Sequence, residues 1–594
     1  MRFFITLFFI FVSLSAFSQS HELAQNYFDQ GEYEKAKTIY KKLYQENPRN
    51  LQVVYGLISS MQELEEYDEV EQMLLKNEKQ ISIYPNLWVE LGYNYQLQQE
   101  PEKAQEYYQK AIDKIKEQPN YAYAIGNAFQ KYSLLDEAVE AYEISLSARA
   151  NPSLTVQLAR IYGEQGHIEK MFNSYIELIE QKPEYRYAVN RNFSAYITED
   201  SENNANQILR KLLLKKIQQN PDILYNELLS WLFTQQNDFK KAFIQEKAIY
   251  QRSPEKRLQQ IIDLGLIAAE ENETEDAQEI LTYVIENATL QRDIINAHQY
   301  LMQIKIDHFN GEKSQAIKDD FQQIFEKLGK EKETLQLQIQ YAKFLAFHTN
   351  EKETAKEQLN NLLNKNLNRF QEASVKMVLA DILVLEEKFN QALIYYSQVQ
   401  KLVENTEIAQ EARFKVAKTS YYKGDFDWSQ TQLKILKTST SQLIANDAMQ
   451  LNLLISDNSQ EDSTQTALKL FAKADLYKFQ QKDTKSLAVL DTILAKHKGE
   501  KIEDEALFRK AQLLQEQENF QQAEKIYLTI IEFYGEDILA DDAHYFLAEL
   551  YQNYLNQPEE AKKQYEQIIF NFADSIYFVE ARKKYRSLRG DAIE

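Results

Sequence analysis

The side chains best able to do chemistry are scattered through this sequence. Seven histidines (His21, His167, His298, His308, His348, His497 and His544) include no pair four residues apart. None therefore offers the two-nitrogen edge by which a helix holds zinc, and HExxH is absent. There is no G-x-G-x-x-G, P-loop or G-x-S-x-G. Cysteine is absent, which excludes a thiol nucleophile, a disulfide framework, an iron–sulfur cluster and an N-terminal lipoprotein cysteine. Two poised carboxylates can cleave a glycosidic bond. Here 90 acidic residues face 68 basic ones, and carboxylates at that density read as solvated helix faces. Asp541-Asp542 reads as an acidic first turn facing the positive end of a helix dipole, not as a cation site. We expect no catalytic residue, no metal ligand and no cofactor. The net charge of −22 also repels nucleic acid and anionic lipid.

The elements behind these residues are helical. Only 13 of 594 residues are Gly and 9 are Pro, too few for the turns of a β sandwich or barrel, and the length suits about four domain-sized units. Residues 1–18 read as a signal peptide: Arg2, an apolar run from Phe3 to Val12, then Ala16-Phe17-Ser18 as the cleavage site. The stretch from Phe3 to Phe17 is too short for a bilayer span, and no later stretch is apolar enough. The expectation is a periplasmic or exported protein of the bacterial cell envelope, with no membrane span after cleavage and no lipid anchor.

A register of 34 residues organises the N-terminal third. Trp88, Leu91, Gly92, Tyr95, Ala104, Tyr108 and Ala111 mark one unit. Ala24, Ile58, Gly92, Gly126 and Ala159 recur at steps of 34, 34, 34 and 33, as do Ala36, Val70, Ala104, Ala138 and Met171. Small residues at these two positions let paired helices cross, and the large apolar ones fill the space beside the crossing. One hairpin cannot bury that face alone, so its neighbours must complete it. This pattern closely resembles the tetratricopeptide repeat, which implies an all-α solenoid of helical hairpins. Further on, Ala355, Ala392 and Ser429 stand 37 apart, and Ala488, Ala523 and Ala561 stand 35 and 38 apart. AEKIYLTIIEFYGEDILADDAHYFLAELY and AKKQYEQIIFNFADSIYFVEARKKYRSLRGD resemble repeats of outer-membrane-assembly and other periplasmic tetratricopeptide proteins of Gram-negative bacteria. Gly535 and Ala573 stand where that group has Pro.

The expected organisation is a signal at 1–18, a five-repeat array at 19–184 and a divergent helical middle at 185–456. A polar linker at 457–466 and a C-terminal array at 467–594, ending in a basic capping helix, complete it. Glu199 to Asn204 reads as a polar, uncapped break. The resemblance implies a concave groove lined by the first helices of successive repeats, which selects Tyr93, Tyr123, Asn127, Arg160, Arg186 and Asn190 as candidates for gripping an extended segment. A second candidate is the basic helix carrying Arg582, Lys583, Lys584, Arg586 and Arg589, suited to an acidic partner or to capping the solenoid. The function expected is non-catalytic: a scaffold or adaptor for a protein partner. The alternative is an envelope enzyme, or a lipid- or glycan-binding factor, using a non-repeat pocket between Gln291 and Leu328.

Overall fold

The computed structural model describes residues 20–76, 83–309, 311–437, 441–459 and 464–590. Among them the secondary structure is helical, with short 3-10 turns and no strand. The expected signal at 1–18 lies outside the described residues, as do 460–463 of the expected linker. The chain divides into two units between Lys256 and Arg257.

The first unit is a run of helical hairpins. Leu51–Glu63 pairs with Tyr67–Leu75, Leu87–Leu97 with Pro101–Glu117, Ala122–Lys131 with Leu135–Ala148, and Pro152–Glu164 with Ile168–Gln181. The turn inside each hairpin needs one residue of left-handed φ. Gly31, Glu65, Gln99, Ser133 and Gly166 supply it, at steps of 34, 34, 34 and 33. Three of the five are not glycine, so packing of the hairpin offsets the roughly 1–2 kcal/mol that this conformation costs. Five residues after each turn comes the small position. Ala36, Val70, Ala104, Ala138 and Met171 are all buried there.

A tyrosine locks several of the crossings, and a buried leucine such as Leu74 takes its place in others. Tyr40, Tyr108 and Tyr142 are buried, and their hydroxyls donate to Gln25 (3.0 Å), Gln96 (2.8 Å) and Asn127 (2.9 Å) on the preceding helix. Tyr396, Tyr527 and Tyr565 do the same in the second unit, to Asp381 (2.5 Å), Gln515 (3.2 Å) and Gln552 (3.1 Å). A buried phenol without a partner would cost roughly 1–3 kcal/mol, so the acceptor belongs to the repeat as much as the ring does.

The break at Glu199 to Asn204 is not uncapped. Asn203 accepts from Ala205 N and starts helix Asn204–Gln219. The buried Asn206 then pins the loop, donating to the carbonyls of Thr198 and Asp200 at 2.7 Å each.

In the second unit the turn register lengthens. Asn350, Glu387 and Gly424 take left-handed φ at steps of 37, and Gln481, Glu518 and Asn556 at 37 and 38. This corrects one sequence assignment. The small position after Gln481 is Ser486, fully buried with its hydroxyl donating to Ala474 O at 2.8 Å, whereas Ala488 is exposed. Ser429 makes the same bond to Ala417 O, also at 2.8 Å. A serine fits because it is nearly as small as alanine and its hydroxyl is satisfied by the crossing helix.

The succession of hairpins also doubles back. Helix Thr466–Phe479 packs on helix Glu407–Lys423, with Tyr421 donating to Asp475 at 3.1 Å. Its far end reaches further still. Phe479 meets Phe347 edge-on at 5.7 Å, Gln480 donates to Leu385 O at 3.1 Å, and Lys473 pairs with Glu387 at 2.9 Å. Helix Gln442–Asn458 packs on Phe426–Leu436 and contributes Ile444, Ala448 and Ile455 to the shared core. It takes in Asp457 and Asn458, the first two residues of the expected polar linker.

Candidate partner-binding surfaces

The concave-wall residues read from the sequence fall into several clusters in the first unit. Tyr93 is half-buried and stacked on Tyr132, with centroids 3.7 Å apart. Tyr132 in turn donates to the fully buried Glu90, which Lys131 also reaches at 3.2 Å. Burial, followed by the charge of Glu90, pushes the Tyr132 phenol well up, so it stays a donor. Asn127 and Arg160 share one polar chain. Arg160 donates to Gln130 Oε1 at 3.1 Å, and Gln130 donates to Tyr142 at 2.6 Å and to Asn127 at 3.3 Å. Arg160 also lies 3.6 Å from Glu164. Arg186 pairs with Glu227 at 2.5 Å. Both arginines thus already have carboxylates, and an incoming one must compete for them. Tyr123 is exposed and lines an open cavity of about 610 Å³ with Val156, Tyr175, Tyr185 and Val189. Asn190 Oδ1 is buried with no hydrogen-bond partner among the described residues.

The basic C-terminal helix, Phe578–Arg589, is more engaged than its composition suggests. Lys584 pairs with Glu549 at 2.6 Å and lies over Tyr545. Arg589 lies over Tyr585, and Ala581 is buried in the last core cluster. Arg582 and Lys583 are exposed, while Arg586 is half-buried.

A site that sequence reasoning missed lies in the second unit, where two cavities of about 510 and 550 Å³ flank helix Gln442–Asn458. Phe414, Lys418 and Asp447 line both. The first is walled by Phe471, Phe508 and Phe546 and carries Asp475, Arg509, Glu505 and Asp542. Arg509 lies 3.1 Å from Asp475, Tyr577 donates to Asp542 at 2.8 Å, and Asn458 donates to Glu505 at 3.1 Å. Burial pushes the Asp542 carboxyl up to about 6. Burial and the neighbouring Asp504 push Glu505 up, so it keeps its proton. Beside the second cavity, Lys415 spans both oxygens of Asp381 at 2.8 and 2.9 Å. The sequence did hold a signal. Residues 442–458 contain no Lys or Arg and place Ile444, Ala448, Leu451 and Ile455 on one face, outside any 34-residue register.

Neither cavity touches the segment from Gln291 to Leu328. There, helices Gln291–Asp307 and Ser314–Leu328 close on Ile295, Met302, Phe321 and Phe325. His298 Nδ1 is buried and lacks a hydrogen-bond partner among the described residues. Burial, then Lys327 and Lys305, pushes its ring down to about 4.

No curated protein matches this chain. Among solved structures it is similar to Naa15/Naa10 bound to HypK-THB, at 12% identity over 97% of each chain with a TM-score of 0.28. It is also similar to the APC/C hetero-tetramer Cut9-Hcn1, at 12% identity over 96% of this chain and 95% of that one, with a TM-score of 0.23. The tetratricopeptide repeat domain of P58(IPK) aligns at 12% identity over 79% of this chain and 98% of its own, with a TM-score of 0.19. Family models of the tetratricopeptide repeat match residues 27–76 and 85–113. Hairpins, left-handed turns and small crossing positions recur in phase with those matches, so the described chain is an all-α succession of helical hairpins with tetratricopeptide repeats at residues 27–76 and 85–113.

Proposed function

We propose that this chain is an exported, non-catalytic scaffold of the bacterial cell envelope that holds a protein partner on its repeat surfaces. The carrying observation is in the second unit. Hairpin helices there already hold helix Gln442–Asn458 through Ile444, Ala448 and Ile455, with cavities left open on either side. A surface that holds one helix of its own chain has the chemistry to hold a segment of another. The envelope assignment is supported by Arg2, the apolar run from Phe3 to Val12 and Ala16-Phe17-Ser18. The likeness of residues 523–591 to periplasmic assembly proteins supports it further.

Two measurements test this reading. N-terminal sequencing of protein from the envelope fraction should begin near Gln19. Intact Met1 in the cytoplasm would overturn the compartment. Crosslinking in intact cells, followed by mass spectrometry, should join both units to protein partners, and a chain that crosslinks to none is not a scaffold.

A further inference from the structure

The walls of the cavity of about 510 Å³ carry more acid than base. Asp447, Asp457, Asp475 and Asp542 stand against Lys418 and Arg509, four carboxylates to two cations, while Glu505 keeps its proton and adds no charge. Neither cation cancels the excess. Arg509 is held by Asp475 at 3.1 Å, and Lys418 is exposed to solvent. Asp447 and Asp457 are half-buried on helix Gln442–Asn458, and no Lys, Arg or His nitrogen among the described residues lies within 4 Å of either carboxylate. Asp457 accepts from Ser456 Oγ at 3.3 Å, a neutral donor. The cavity on the other side of this helix is acidic too. Its Lys415 is shared between Asp381 and Glu411, and Glu407 lines it as well. Around the unpaired carboxylates stand the rings of Phe414, Phe471, Phe508 and Phe546, and Leu453 and Ile538 are exposed at the rim.

We propose that this cavity receives a lysine or arginine side chain from a basic, apolar segment of a protein partner, with Asp447 and Asp457 as its counter-ions. The proposal rests on the scaffold reading above and names the chemistry of the partner. Three observations select that chemistry. The excess of carboxylate favours a cation and repels an anion, and a charge-assisted bond in a half-dry site is stronger than one in water. The aromatic walls suit the same ligand, because the methylenes of a Lys or Arg stem pack on rings whose faces attract the charged head. The exposed Leu453 and Ile538 extend the site beyond one side chain, so apolar residues beside the cation have surface to bury, which a small free amine does not reach.

The test uses the full chain and a dansylated, amidated LFKL peptide, with its acetyl-lysine form as the uncharged control. The lysine peptide should bind at least tenfold tighter than the control. Asp447→Asn with Asp457→Asn should abolish that preference, and Asp447→Glu with Asp457→Glu should keep it. Glu275→Gln with Glu279→Gln removes as much charge from exposed positions of helix Thr274–Asn287 and should also leave the preference intact. Gln512→Trp narrows this cavity and not its neighbour, and should weaken both peptides. Equal binding of the two peptides, or a preference that survives the Asn pair, overturns the site. A preference lost equally in the Gln pair overturns it as well, since the peptide then reads only the net charge of the chain. Binding of decylammonium without binding of the lysine peptide overturns a protein segment as the source of the cation. Failure of the scaffold reading is seen separately, in crosslinking that yields no protein partner.

Discussion

The ring of Tyr108 occupies the space in which a β-carbon on Gly92 would stand, and the carbonyl oxygen of Ala104 lies 3.1 Å from the same point. Gly126 stands in the same relation to Tyr142, and Gly56 to Tyr40 of the preceding hairpin. Tyr108 is buried and held by its bond to Gln96, so it has little freedom to give way. Gly92→Leu should cost about 1–3 kcal/mol in urea unfolding. Because each hairpin touches mainly its neighbours, the damage should stay local. Hydrogen exchange should quicken across Leu87–Leu97 and Pro101–Glu117 and remain unchanged across Ala540–Asn553. Equal quickening in both would contradict the one-dimensional reading.

Phe479 carries the doubling-back of the second unit. It stands between Phe347, at 5.7 Å, and Tyr422, at 6.0 Å. Phe479→Ala should destabilise the unit by roughly 3 kcal/mol, the usual scale for truncating a phenylalanine at a packed site. The informative readout is which helices lose protection. Leu335–Phe347 and Thr466–Phe479 should lose it together although more than a hundred residues separate them. Loss confined to Thr466–Phe479 would mean that the contact with Phe347 adds nothing.

The sequence and the fold agree where the constraint is local. The crossing positions were readable because two backbones cannot approach past a large side chain, so Ala36, Ala104 and Ala138 are spaced as the hairpins are. The left-handed turns were harder, since Glu65, Gln99 and Ser133 give no glycine signal. Ser486 was passed over for Ala488 because composition alone favours alanine, while the bond to Ala474 O is visible only once the helices cross. The contact of Phe479 with Phe347 and the cavities beside helix Gln442–Asn458 depend on elements far apart in the chain, and no periodic pattern encodes them. The partners of Arg160 and Arg186 divide along the same line. Glu164 is one helical turn from Arg160, whereas Glu227 is 41 residues from Arg186.

His298 sets an acid limit on the divergent middle. Its ring is held down at about 4 against an ordinary 6.5 by burial, then by Lys327 and Lys305. The native state therefore holds the ring neutral where the unfolded chain would take up a proton. For a group depressed in this way, the contribution is complete above about 6.5 and is lost as pH falls through about 4. The whole effect is at most about 3 kcal/mol. His298→Gln has no proton to gain, so the stability difference between wild type and variant should shrink steadily from pH 7 to pH 4. Taking the difference removes the opposing contribution of Asp542, whose raised carboxyl favours the acid side. A difference that stays constant across that range would mean that His298 is solvated.

The two surfaces read from the sequence are separable because their residues differ in what else they hold up. Arg160 is exposed, its neighbours Glu164 and Gln130 are polar, and surface ion pairs of this kind contribute about 0–1 kcal/mol. Arg160→Ala should therefore leave stability nearly unchanged. If a partner carboxylate displaces Glu164, the same substitution should weaken binding about tenfold or more, since a charge-assisted bond contributes about 1.5–3 kcal/mol. Removing the basic tail is a poorer test than it looks, because Ala581 is buried in the last core cluster and Lys584 pairs with Glu549. Deleting Phe578–Arg589 would unroof that core and lower affinity for reasons unrelated to charge. Arg582→Glu with Lys583→Glu avoids this, as both side chains are exposed. Calorimetric titration with a crosslinked partner should show a loss for Arg160→Ala and little change for the double charge reversal. The opposite result, in proteins of equal stability, would move the docking surface from the groove to the C-terminal helix.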